Sequence, residues 1–132
     1  MTMENATIVR VSAYVYSETI ARLSQKIVDA GNRIFATIDQ SDAAMSVGLS
    51  LRPTTLIVFG NPRGGTTLMQ AFPLVALELP LKFLVWEEEG AKVKVASLRA
   101  TEIAKRFGIS GRDSLVAGMD KALESLADSI TA

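Results

Sequence analysis

The feature that most constrains this chain is the run from Thr54 to Val95, TTLIVFGNPRGGTTLMQAFPLVALELPLKFLVWEEEGAKVKV, where apolar segments are interrupted by Gly and Pro. Thr54 to Phe59 is a nearly continuous apolar stretch of strand length after Pro53, the pattern of a central strand covered on both faces. Gly60-Asn61-Pro62-Arg63-Gly64-Gly65 then reads as a loop, followed by short helical segments over Thr66 to Phe72 and Leu74 to Leu79, each stopped by a proline. Lys82 to Glu87 and Lys92 to Ala96 flank Gly90 and form a β-hairpin. In the second of these, Lys92 and Lys94 share one face and Val93 and Val95 the other, so the strand is wet on one side and lies at or near a sheet edge.

Upstream, Thr7 to Tyr14 alternates like a half-buried strand. Ser17 is placed to cap a helix carrying Ile20, Leu23, Ile27 and Val28 on one stripe and ending at Gly31. Arg33 to Ile38 returns to the sheet, and Asp39 and Ser41 cap a short helix that stops at Gly48. Thr101 to Phe107 is a short helix, and a final amphipathic helix puts Leu115, Met119, Leu123, Leu126 and Ile130 on one side. The fold class is therefore α+β, in a single domain over residues 1–132.

The 14 basic and 14 acidic residues cancel, which leaves no net field to hold a nucleic acid. With neither His nor Cys, the usual general base, thiolate nucleophile and commonest metal ligands are missing, so no metal and no cofactor is expected. The first ten residues lack a secretory signal and no apolar run reaches the ~20 residues that span a bilayer, which points to a cytoplasmic protein without a membrane partner. The 48% hydrophobic content implies a generous core or a surface covered by a second copy, hence a homodimer. Trp86 suits a core or subunit contact, Met45, Met69 and Met119 suit core filler, and Glu87 to Glu89 suit a solvated hairpin tip.

Two readings of the Gly60–Gly65 loop stand side by side. Gly and Pro turn the chain, or free amides near Gly64 and Gly65 meet a small anion at a helix N-terminus, helped by Arg63 and by the Thr66 and Thr67 hydroxyls. The loop is neither a Walker A pattern nor a dinucleotide fingerprint. Asn61, Arg63, Gly64, Gly65, Thr66 and Thr67 are the candidate ligand contacts, with Asp39 and Gln40 expected on the same side. An enzyme using Asp39 or Lys82 as base, with Lys105 near a serine as a further option, and a purely structural partner-binding domain are the alternatives.

The block from Pro53 to Val95, with its Gly-Asn-Pro loop, Leu-Met-Gln, Pro-Leu, Leu-Pro-Leu-Lys and Trp-Glu, closely resembles the widespread prokaryotic family known as domain of unknown function 302. Arg33 to Asp39 is similar to that family's second strand, so the resemblance covers residues 7 to 108. It implies a TATA-binding-protein-like fold, a curved and mostly antiparallel sheet with helices on one side, and homodimers, but no known activity. Two positions depart from the pattern: Gln40 stands where members often have His, and Ser97-Leu98-Arg99-Ala100 replaces a Tyr-Asn-Asp-Pro-like stretch. A family site built on those groups would be lost here.

Overall fold

A computed structural model describes residues 3–131, with side chains from residue 5 onward. Met1 and Thr2 of the segment read for a secretory signal, and Ala132, lie outside the described residues. The element order is α1 (Met3–Ala6), β1 (Thr7–Val11), α2 (Tyr16–Asp29), β2 (Arg33–Asp39), α3 (Gln40–Ser46), β3 (Thr54–Gly60), α4 (Pro62–Ala71), a 3-10 turn (Pro73–Leu77), β4 (Leu81–Glu87), β5 (Val93–Leu98), α5 (Ala100–Arg106) and α6 (Asp113–Asp128). The five strands form one open, curved sheet in the order β1-β5-β4-β3-β2, every neighbouring pair antiparallel.

Alternation within the strands sorts the sheet into two unlike faces. Ile8, Ile57, Phe59, Phe83, Val85, Val93 and Val95 point inward and are buried with Leu23 and Ile27 of α2 and Leu123, Leu126 and Ala127 of α6. The opposite face carries Val9, Val11, Ile38, Leu56, Val58, Leu84, Trp86 and Ala96, which are exposed or half-buried and stand outside that core. The apolar run of β3 is thus covered on one face, not two. Trp86 is on the bare face, half-buried, so it is not a core residue. Met69 and Met119 pack against the core as expected, whereas Met45 is 73% exposed.

Other differences have local causes. The first strand ends at Val11 although the Ser12 N–H still donates to the Val93 carbonyl at 2.8 Å; the Ser12 hydroxyl hydrogen-bonds Thr19 Oγ1 at 2.6 Å and accepts the Tyr14 N–H at 3.1 Å, so the chain bends there toward α2. Helix α2 starts two residues early, with Val15 and not Ser17 at its N-cap and Thr19 Oγ1 donating to the Val15 carbonyl at 2.9 Å. β1 and β2 lie on opposite edges, so α2 crosses the inner face between them. The lysine-bearing strand β5 is one strand in from the edge, and Lys94 reaches Glu88 at 3.1 Å. Gly90 and Ala91, both at positive φ, close the β4–β5 hairpin as the sequence indicated. Asp39 caps α3 as expected, accepting the Asp42 N–H at 2.9 Å.

Candidate functional site

Gly60–Gly65 is not the loop that the sequence suggests, because a helix starts within it. Asn61 is an N-cap and Pro62 the first residue of α4, a pairing that starts a helix because the side-chain oxygen takes an orphan N–H and proline has none to lose. Gly64 and Gly65 therefore sit in the first turns of a helix and not in a loop. The Arg63 N–H donates to Asn61 Oδ1 at 3.0 Å and the Gly65 N–H to the Asn61 carbonyl at 3.1 Å. Of the Arg63, Gly64 and Gly65 amides, Gly64's has no acceptor among the described residues. Arg63, Thr66 and Thr67 are exposed, and Thr67 Oγ1 donates to the Arg63 carbonyl at 2.8 Å.

What α4 does border is a cleft of about 520 Å³ between α4, α6, the start of β2 and the Leu79–Leu81 corner. It is lined by Phe35, Met69, Leu79, Leu81, Leu115, Met119 and Leu126, together with the glycines Gly60, Gly64, Gly65 and Gly118. Phe35 is the extra residue of a β-bulge between Ile34 and Ala36, which re-aims its side chain out of the strict alternation. Asn32, Asn61, Ser114 and Ser125 supply the polar groups, and no charged side chain lines the cleft among the described residues. Of the residues singled out from sequence, Asn61, Gly64 and Gly65 line it and Arg63, Thr66 and Thr67 do not.

Three of these four glycines lie in helices without positive φ. A Cβ on Gly118 would meet nothing within 4 Å, one on Gly64 would touch Leu115 Cδ1 at 3.6 Å, and one on Gly65 would touch Met69 Cε at 3.8 Å. Neither backbone conformation nor close packing demands glycine there. Their common effect is to leave the cleft open. The mid-helix Gly118 is a further sequence signal for this cleft, since glycine inside a helix costs about 0.5–1 kcal/mol relative to alanine.

Asp39 and Gln40 do not join this group. Asp39 pairs in register with Thr55 while Arg33 pairs with Gly60, so Asp39 is at the far end of β2, about 17 Å away at strand rise. There Asp39 Oδ1 accepts Ser41 Oγ at 2.6 Å, and Tyr16 OH and Thr55 Oγ1 are 2.6 Å apart. The Ser41 hydroxyl, then the Asp42 amide, hold the exposed Asp39 carboxyl below its ordinary pKa, which makes it a poorer base. Lys82, the other base considered, is occupied: its Nζ donates to the Glu78 and Pro80 carbonyls at 2.7 and 3.1 Å.

Burial raises the Tyr16 pKa above its ordinary 10.0, opposed by the Thr55 hydrogen bond and helped by the Asp39 charge. The folded state then holds the phenolic proton more tightly than the unfolded chain does. This contribution to stability is fully present below the unfolded pKa and is lost as pH rises through the folded one. Denaturant melts should show stability declining above a pH of about 10, with Tyr16→Phe flattening that decline; an unchanged profile in the variant would refute the assignment.

The architecture matches that of an uncharacterized conserved protein DUF302 from Bacillus stearothermophilus, known from its crystal structure, with a TM-score of 0.87 over 95% of this chain and 98% of that one at 20% identity. In sequence, the chain is 37% identical over 98 residues to Fluoride-specific ion channel FluC 1 of Brucella suis biovar 1 (strain 1330), covering 74% of this chain and 39% of that protein. The same identity and length hold for FluC 1 of Brucella abortus biovar 1 (strain 9-941), where 36% of the protein is covered. The chain thus spans well under half the length of these curated relatives, and no helix among the described residues is long and apolar enough to cross a membrane. The family model described as Domain of unknown function DUF302 matches residues 8–130, so with this fold and nearly its whole length matched, the chain belongs to that family.

Proposed function

We propose that this chain is a small-ligand-binding module whose ligand occupies the cleft between α4 and α6. The observation that carries this reading is an apolar cleft of about 520 Å³ kept open by helical glycines that fold and packing do not require. That volume lies in the range of about 300–1,000 Å³ typical of small-molecule sites, and a few convergent polar groups on apolar walls are their usual composition. An anion, fluoride included, finds no cation on these walls, which favours an uncharged ligand.

Gly118→Leu tests the reading. The leucine enters open space on a helix that prefers it to glycine, so the variant should be at least as stable as the parent. In a fragment screen followed by amide chemical shifts, hits on the parent should perturb Leu115, Gly118 and Met119 and should vanish in the variant. No hits at these amides, or hits that survive the leucine, would overturn the proposal.

A second reading concerns assembly, and the bare sheet face favours it: we propose a homodimer formed by this face. Leu56, Leu84 and Ala96 are cross-strand neighbours in one row at its middle, flanked by Val9 and Ile38, both at least 40% exposed. A contiguous apolar surface of this kind on a small domain calls for a partner.

A further inference from the structure

Resting on the cleft as the binding site, a further step names the ligand's chemistry. The β2–β3 ladder ends with Arg33 opposite Gly60, so the next residues outward, Asn32 and Asn61, face each other where the strands part. Residues opposed across an antiparallel pair have Cα atoms about 4.5–5.5 Å apart. Both line the cleft, Asn32 half-buried and Asn61 exposed.

The protein fixes the direction of each amide. Asn61 Oδ1 is engaged by the Arg63 N–H at 3.0 Å, which leaves the Asn61 Nδ2 hydrogens as free donors. Asn32 Nδ2 is engaged by the Ile27 carbonyl at 3.2 Å, which leaves Asn32 Oδ1 as a free acceptor. Neither leftover group has a partner among the described residues. One donor and one acceptor therefore lie at the same end of the β2–β3 ladder, on the lining of a largely apolar space whose other polar side chains are Ser114 and Ser125.

We infer that the cleft takes an uncharged molecule with an apolar or aromatic body and an amide-like edge, such as a carboxamide, a lactam or a ring amide. The ligand's C=O would accept from Asn61 Nδ2 and its N–H would donate to Asn32 Oδ1. A carboxylate of the same shape is disfavoured twice. It would set a negative charge against Asn32 Oδ1, and it would lose water without gaining a cation.

The test uses three probes of one shape class, benzamide, benzoate and ethylbenzene, titrated into the full chain and into Asn61→Asp with amide chemical shifts as the readout. Aspartate retains an oxygen to cap the Arg63 N–H but removes the donor, so the fold should persist. Benzamide should bind the parent about tenfold more tightly than benzoate, and Asn61→Asp should weaken benzamide about tenfold while leaving ethylbenzene unchanged. Equal binding of benzamide and benzoate, or a benzamide affinity indifferent to Asn61→Asp, would overturn the ligand class while leaving the cleft as a site. Failure of all three probes to perturb Leu115, Gly118 and Met119 would overturn both.

Discussion

Phe83→Ala is expected to cost about 3–5 kcal/mol of folding stability, the range for deleting a buried aromatic ring from a core that relaxes only in part. Phe83 is fully buried on β4, the middle strand of the sheet, and stacks on Phe59 of β3 with ring centroids 5.5 Å apart and planes 6° from parallel. Ile57, its register partner on β3, is also fully buried, so a cavity there is bounded by packed core neighbours and has little freedom to collapse. A domain of this size has a total stability of about 5–15 kcal/mol, so the variant should be close to unfolded or strongly shifted in a urea melt. Val11→Ala is the matched control: at 41% exposure on the bare face it should move stability by no more than about 0.5 kcal/mol. A Phe83→Ala cost below about 1.5 kcal/mol would mean that the paired rings are not the centre of the core.

The same strands show how far the fold can be read from residues alone. Period-two alternation in Val93 to Val95 and the 3–4 spacing of Leu23, Ile27, Leu123 and Leu126 each report a local geometry, and each places its side chains in the core as read. The run Leu56-Ile57-Val58-Phe59 misleads because its outward residues are as apolar as its inward ones, so pattern cannot say that one face is bare. At Asn61-Pro62 the residues are ambiguous by nature. The pair suits a turn or a helix start, and Gly64-Gly65 tips a local reading toward a turn although the Asn61 cap and the burial of Leu68 carry the helix.

The cleft lay further out of reach. Its lining comes from the start of β2, the end of β3, α4, the Leu79–Leu81 corner and α6, segments brought together by the sheet order and not by any spacing along the chain. For the same reason Asp39 and Asn61, which flank β2 and β3, look like neighbours in a list of strand-end residues. Antiparallel pairing sends them to opposite ends of the sheet.

The proposed dimer should be dismantled by Leu84→Arg, with its dissociation constant rising about 100-fold or more, as for a residue at the centre of an interface. Leu84 sits on β4, with Leu56 opposite it on β3 and Ala96 on β5, at the middle of the bare face. Five strands about 4.8 Å apart and about six residues long outline roughly 450–500 Å², and side-chain relief raises the accessible area toward the ~800 Å² per partner of a standard interface. The lysines on this face need not repel their symmetry copies. Lys94 is paired with Glu88 at 3.1 Å and Lys82 with Glu78 at 3.7 Å within the same chain. Leu84 is half-buried and outside the core, so the variant should stay folded with an unchanged urea midpoint once both proteins are compared as monomers. Sedimentation velocity across a concentration series separates the outcomes: a parent that is monomeric at high micromolar concentration, or a variant that dimerises as the parent does, would rule this face out as the contact.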